Sequence, residues 1–264
     1  MSGAPAIEII HEPTAAEPFV VLSKPAGLPS APLKSLDEDS AFSQCARLFP
    51  AVLNVRGKKL VEGGLLHRID TATSGLLLAA ASQEFYDRII AAQEAGRFVK
   101  GYRALCQIDP DNAKKLGGFP PAPRLFLGGQ TLSTFFRPYG KGGCQVRPVL
   151  PDSSSAALKK TGSKKLYSTK IVSAREAVGA KNGAAPLGLE KPFLLVECKI
   201  AKGFRHQVRA HLAWIGLPIV GDALYNAEGG QSAAAFGGGM RFEAVSLEFP
   251  GLDSDKVFHY GLKD

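Results

Sequence analysis

The side chains best able to do chemistry gather at one short polar turn. Gly64-Leu65-Leu66-His67-Arg68-Ile69-Asp70-Thr71-Ala72-Thr73-Ser74-Gly75-Leu76-Leu77-Leu78 sets a single carboxylate, Asp70, between two apolar segments. Thr71, Thr73 and Ser74 can supply hydrogen bonds that order the turn, and Gly75 permits a close backbone approach. A carboxylate held at the wall of an apolar pocket can act as nucleophile or general base. The same residues also describe a plain capped turn in which Asp70 bonds its own backbone. Further along, Tyr102 stands in the middle of an alternating stretch, Phe98 to Ile108, on the face shared with Ala104 and Cys106. A core tyrosine with a wet hydroxyl fits that position. Lys202-Gly203-Phe204-Arg205-His206-Gln207-Val208-Arg209 then opens a predicted helix. In it Val208, Leu212 and Ile215 share an apolar face, and Arg205 and Arg209 share a neighbouring polar one.

These residues need elements to hold them. Phe19 to Leu22 reads as a compact apolar strand, closed by the turn-rich Lys24-Pro25-Ala26-Gly27-Leu28-Pro29. Leu65-Leu66 and Leu76-Leu77-Leu78 read as buried segments on either side of the polar hinge. A helix is expected around Ala41 to Leu48. A second is expected from a Ser82 cap to about Ala95, with Phe85, Ile89 and Ala92 on one face and Gly96 ending it. Residues 109–165, rich in Gly, Pro, Ser and Lys, predict long loops with short strands. An apolar strand is expected over Phe193 to Ile200, a flexible loop over 227–239 and a last strand over Ala244 to Phe249. Residues 1–16 read as a lead-in. Strands and helices mix without a regular βαβ rhythm, which predicts an α+β fold.

The totals narrow the partner. The chain has 264 residues, a formal net charge of +8 and a pI near 9.3. That balance favours an anionic partner, nucleic acid first. Cys45, Cys106, Cys144 and Cys198 are scattered, with no paired spacing and no histidine at ligand spacing, so neither a zinc site nor a disulfide framework is expected. No apolar run is long enough to cross a bilayer, and the acidic start (Glu8, Glu12, Glu17) does not resemble a signal peptide. The expectation is a cytoplasmic protein, most simply a monomer, away from membranes.

His67-Arg68-Ile69-Asp70-Thr71-Ala72-Thr73-Ser74-Gly75 resembles the HRLDxxTSG signature of the RluA-type pseudouridine synthases, with Ile in place of Leu at 69. Val20 to Pro29 resembles that family's opening NKPAGL motif, with Ser23 for Asn. Lys100-Gly101-Tyr102-Arg103-Ala104 resembles its KxYxA strand. Gly203 to Leu212 resembles GRTHQIRVHL, and Pro218-Ile219-Val220-Gly221-Asp222 with Tyr225 resembles PIxGDxxYG. The likeness covers about residues 19–108 and 193–226, with a family-like Arg137-Pro138-Tyr139-Gly140 loop between them.

The resemblance implies a pseudouridine synthase catalytic domain over 17–264. It implies a mixed, mostly antiparallel sheet with flanking helices, no S4-type RNA-binding module and no cofactor. It implies that Asp70 attacks a uridine, that the glycosidic bond from N1 breaks, and that the uracil rotates and rejoins the ribose through C5. Arg209 would be the arginine that pairs with the carboxylate and keeps it ionised. Tyr102 would stack on the base and remove the C5 proton. The target is flipped out of folded RNA, ribosomal or transfer, and Arg68 would fill the vacated stack. Lys24, Arg205 and His206 are further RNA-contact candidates. Phe204 and Arg205 depart from the family's Arg-Thr.

Two other functions compete. A non-catalytic RNA-binding protein of the same fold would keep RNA affinity without Asp70. A hydrolase with paired carboxylates would need a second acidic residue near Asp70, and the next ones in sequence are Glu62 and Glu84.

Overall fold

A computed structural model describes residues 5–36, 38–124, 129–177, 193–229, 238–253 and 256–262. Two compact units are present, Met1–Gly101 with Glu243–Asp264, and Tyr102–Phe242. In chain order the elements are β1 (Glu8–His11), β2 (Phe19–Lys24), α1 (Ala41–Leu48), β3 (Ser74–Ala80), α2 (Gln83–Glu94) and β4 (Val99–Gln107). There follow α3 (Asn112–Leu116), β5 (Thr131–Tyr139), β6 (Gln145–Val149), α4 (Ser155–Leu158), β7 (Tyr167–Glu176) and β8 (Phe193–Ile200). The helix Gln207–Trp214, here α5, leads to β9 (Phe242–Pro250) and β10 (Val257–Gly261). Strands β4 and β9 each contribute residues to both units. The architecture is the expected α+β, with helices flanking a mixed sheet. Among the described residues no helix is long and apolar enough to cross a membrane.

In the first unit the strand order is β1-β2-β3-β9, with β10 beside β9. All these pairs are antiparallel except β3 with β9, which run parallel through Ser74↔Glu243 and Gly75↔Ala244. Strands β2 and β3 are covered on both faces, so they read as unbroken apolar runs rather than alternating ones. Helix α2 begins where Ser82 accepts from the Phe85 amide, and it buries Phe85, Tyr86, Ile89 and Ala92. Phe85 reaches an aromatic cluster centred on Phe19, whose ring lies 4.8 Å from Phe85, 4.9 Å from Phe258 and 5.3 Å from Phe249.

In the second unit the order is β4-β8-β7-β5-β6. Residues 109–165 hold more regular structure than their composition suggests. Strand β5 alternates Leu132, Thr134 and Phe136 inward, and the polar Thr134 inside with the half-buried Phe135 outside masks the period. Strand β7 does the same with Thr169 and Ile171. Two further expectations are corrected. The lead-in supplies β1, which pairs with β2. Strand β9 is followed by another, β10, whose Phe258 and Tyr260 pack on the aromatic cluster. Most of the expected loop at 227–239 lies outside the described residues.

Gly75 shows why the polar turn ends in glycine. Its φ is +112°, and a Cβ there would overlap the Ala244 carbonyl oxygen and lie 2.7 Å from the Ala244 nitrogen. Gly75→Ala is expected to lower stability by about 2–4 kcal/mol, from backbone strain plus overpacking. A urea unfolding midpoint indistinguishable from that of the wild type would refute this.

Candidate active site

The seven residues singled out from sequence fall into two groups. Lys24, Arg68 and Asp70 belong to the first unit, and Tyr102, Arg205, His206 and Arg209 to the second.

Asp70 is half-buried on the loop between Leu66 and β3. Its main-chain carbonyl accepts from the Thr73 amide at 3.0 Å. The side chains that order this loop are not the expected threonines. Ser30 accepts from the Ile69 amide at 3.1 Å and donates to the Ile69 carbonyl at 2.6 Å. The buried Thr73 hydroxyl makes no hydrogen bond among the described residues. Ile69 itself is buried, so the family's Leu and this chain's Ile do the same packing work.

Lys24 is the largest correction. Expected as an RNA contact, it is fully buried, with a relative exposure of 0%. Its ammonium donates to the carbonyls of Pro25 (2.9 Å), Leu28 (2.7 Å) and Thr71 (3.2 Å). The Gly27 amide also donates to Thr71 O, at 2.8 Å. Lys24 therefore clamps the Asp70 loop to the turn after β2. Burial pushes its pKa down to about 8, and the nearby Asp70 carboxylate opposes that shift.

Arg68 points the other way. Its side chain is 57% exposed, with Nη1 3.0 Å from the Glu62 carboxylate. Glu62 is buried and also receives Lys59 at 3.5 Å. Glu62, in sequence a candidate second acid for hydrolysis, here holds cations.

In the second unit Tyr102 is buried as β4 alternation requires, and its ring stacks on Phe242 at 5.2 Å and 16°. Arg209 does not share a polar helix face with Arg205. Every residue of α5 is buried, and Arg205 precedes the helix. The Arg209 guanidinium grips Asp222 in a fork, Nε to Oδ2 at 2.8 Å and Nη2 to Oδ1 at 2.7 Å. Asp222, also fully buried, accepts in addition from the Leu224 and Tyr225 amides. Its only signal in the sequence was its place in the Pro218 to Asp222 stretch.

His206 takes a left-handed conformation, φ 57°, ahead of α5. Its Nδ1 lies 3.1 Å from the Tyr225 hydroxyl, which accepts from the Val146 amide at 2.8 Å.

The motif departure at 204 and 205 also has a physical basis. Phe204 stacks on Phe136 at 5.1 Å and 8° and meets Tyr167 at 5.0 Å, so its place is apolar. The exposed Arg205 donates to the carbonyls of Gly143 and Gln145. Among the described residues no group of three His, Cys, Asp or Glu side chains is placed to hold a metal.

The Lys24 geometry predicts a pH dependence of stability. Its pKa is about 8 when folded, against about 10.5 for a free lysine. Between those values the unfolded chain holds more protons, so stability rises with pH as the buried charge is relieved. Lys24→Met should lose this rise, measured as the difference in unfolding free energy between pH 8 and 10. Parallel curves for the two proteins would contradict the assignment.

Comparison with known proteins places the chain. Residues 18–214 match a family model described as RNA pseudouridylate synthase. The large-subunit ribosomal pseudouridine synthase D of Pseudomonas aeruginosa is 23% identical over 83% of this chain and 53% of its own length. The tRNA pseudouridine(31) synthase of Saccharomyces cerevisiae is 24% identical over 79% and 44%. A mitochondrial pseudouridylate synthase of Xenopus tropicalis is 29% identical over 79% and 57%. The chain thus spans about half the length of these curated relatives. Among solved structures, human RNA pseudouridylate synthase domain containing 1 superposes with a TM-score of 0.62 at 19% identity, covering 100% of this chain and 86% of that one. The fold is that of these synthases, and the chain belongs to the RNA pseudouridylate synthase family.

Proposed function

We propose that this protein isomerises uridine to pseudouridine in structured RNA, ribosomal or transfer, with Asp70 as catalytic carboxylate and without a cofactor. The observation that carries the reading is the construction of the Asp70 loop. Three independent anchors, Lys24, Gly27 and Ser30, fix its backbone on either side of a half-buried carboxylate with a buried ammonium nearby. A turn that merely capped itself would not need a buried lysine, whose desolvation is costly. Preorganisation of this kind is what a nucleophile requires, because a misaimed carboxylate loses the advantage of proximity.

The remaining roles follow the family resemblance. Arg68, exposed and held by Glu62, enters the stack that the flipped base leaves. Tyr102 stacks on the base and takes the C5 proton. Arg209, its fork fixed on Asp222, supplies the cation that the resemblance pairs with the catalytic carboxylate. Arg205 and His206 contact RNA from the second unit. Residues 17–264 act in this proposal as one catalytic domain. We read the protein as a cytoplasmic monomer that does not engage membranes, and its four free cysteines accord with a reducing compartment.

Asp70→Asn should abolish turnover while RNA affinity changes by less than about tenfold, or ~1.4 kcal/mol. Pseudouridine mapping of ribosomal RNA and tRNA, in cells carrying either protein, tests the reaction directly. One or a few sites should vanish with the variant. Identical maps from a folded, expressed variant would overturn the enzyme reading and favour an RNA-binding relative.

A further inference from the structure

Between α1 and the Asp70 loop the chain makes an excursion, 56–63, that the catalytic roles leave unexplained. Its base is pinched shut, because a Cβ on Gly57 would overlap the Gly63 carbonyl oxygen. Its near limb is pinned to α2, where the Gln83 side chain accepts from the Arg56 amide at 2.8 Å and the Tyr86 hydroxyl from the Lys58 amide at 3.2 Å. From this base the tip carries Arg56, Lys58 and Lys59, all exposed, followed by Leu60. Leu60 is 91% exposed, an unfavourable place for a large apolar side chain in water. The far limb ends in Glu62, whose buried carboxylate ties Lys59 to Arg68.

We propose that Arg56–Leu60 is an RNA-docking arm, in which Lys58 and Lys59 hold backbone phosphates and Leu60 packs on a base or ribose face beside the target uridine. This rests on the reading of Asp70 and Arg68 given above. Three features of the arm favour RNA over a protein partner. The segment holds three cations and no acid, and with Arg68 it sets four cations against the one carboxylate of Glu62. Phosphate contacts position a nucleic acid without reading its sequence, which is what a pinned basic arm can do. An exposed leucine beside cations matches the apolar wedges with which nucleic-acid-binding proteins open a base stack. The ion link through Glu62 then joins the arm to Arg68, so docking and stack-filling share one rigid piece.

The test uses Lys58→Gln/Lys59→Gln and, separately, Leu60→Ser, all at exposed positions where folding is not at stake. Binding to an unmodified tRNA transcript and to a large-subunit ribosomal RNA transcript is measured across a salt series, together with turnover on total RNA. For the double variant, Kd should rise about tenfold and the slope of log K against log salt should flatten by about one to two. KM should rise with kcat kept. Leu60→Ser should weaken binding with the salt slope unchanged. Wild-type affinity and slope in the double variant, or no binding of either RNA by the wild-type protein, would overturn the proposal. Failure of the synthase reading itself shows elsewhere, as RNA binding by the wild-type protein without turnover, and failure of the Asp70 assignment as turnover that survives Asp70→Asn.

Discussion

An ammonium withdrawn from water is tolerated only where oxygens replace its hydration, and Lys24 meets that demand with three carbonyls drawn from two parts of the chain. Two belong to the turn after β2, and the third belongs to Thr71, one residue beyond Asp70. The register behind this clamp is equally constrained. Lys24 pairs across the ladder with Gly75, the residue on which β9 closes in through Ala244. A side chain at Gly75 would push β9 away, and a loss of the ammonium would leave the Pro25 and Leu28 carbonyls without their donor, each worth about 1–3 kcal/mol when buried, while Thr71 O would keep only the Gly27 amide. The position of Asp70 is thus determined by neighbours that do no chemistry. One buried cation both fixes the loop and supplies positive potential near its carboxylate.

The second unit solves a comparable problem with an ion pair. A buried arginine and aspartate are stabilising only when the geometry is good and the remaining lone pairs are satisfied. Asp222 fulfils both conditions, since its two oxygens take the Arg209 fork and two backbone amides. Because one of those amides is that of Tyr225, the same carboxylate fixes the tyrosine whose hydroxyl meets His206. The Arg209 guanidinium also lies over the Tyr225 ring, 5.1 Å from its centre. Lysine at 209 would keep a charge but not the planar fork, so this position is specific for arginine.

How much of this was legible beforehand depended on whether the signal was local. Ser82 and the Phe85, Ile89, Ala92 spacing announce α2, and β8 and the core of β4 show their period, because those patterns lie within a few residues. The motif around Asp70 was legible for the same reason. The partners of the loop were not. Ser30 lies 39 residues from Ile69, and Lys24 lies 47 from Thr71, so no spacing rule connects them. Arg209 shows a different limit. Helical periodicity assigns charged residues to the wet face by default, and only a buried acid thirteen residues further on reverses that assignment. Strands β5 and β7 were obscured because Thr134 and Thr169 are buried while Phe135 and Val172 face outward, which blurs the apolar alternation.

The formal charge of +8 also means something different once the cations are located. Lys24, Lys100, Arg147 and Arg209 are all buried. Arg147 lies beneath the rings of Phe119 and Tyr139, at 4.2 Å and 4.1 Å, and donates to main-chain carbonyls. Burial brings the Lys100 pKa down to about 7. These groups hold loops and rings in place, and a polyanion cannot displace the oxygens and aromatic faces they already use. What an approaching RNA meets is the exposed remainder, and counterion release scales with the phosphates that remainder can reach. A basic pI is therefore a weak argument for an RNA partner by itself. It gains force where exposed cations stand on an anchored segment next to the Asp70 loop, as Arg56, Lys58, Lys59 and Arg68 do, since there electrostatic attraction also sets orientation.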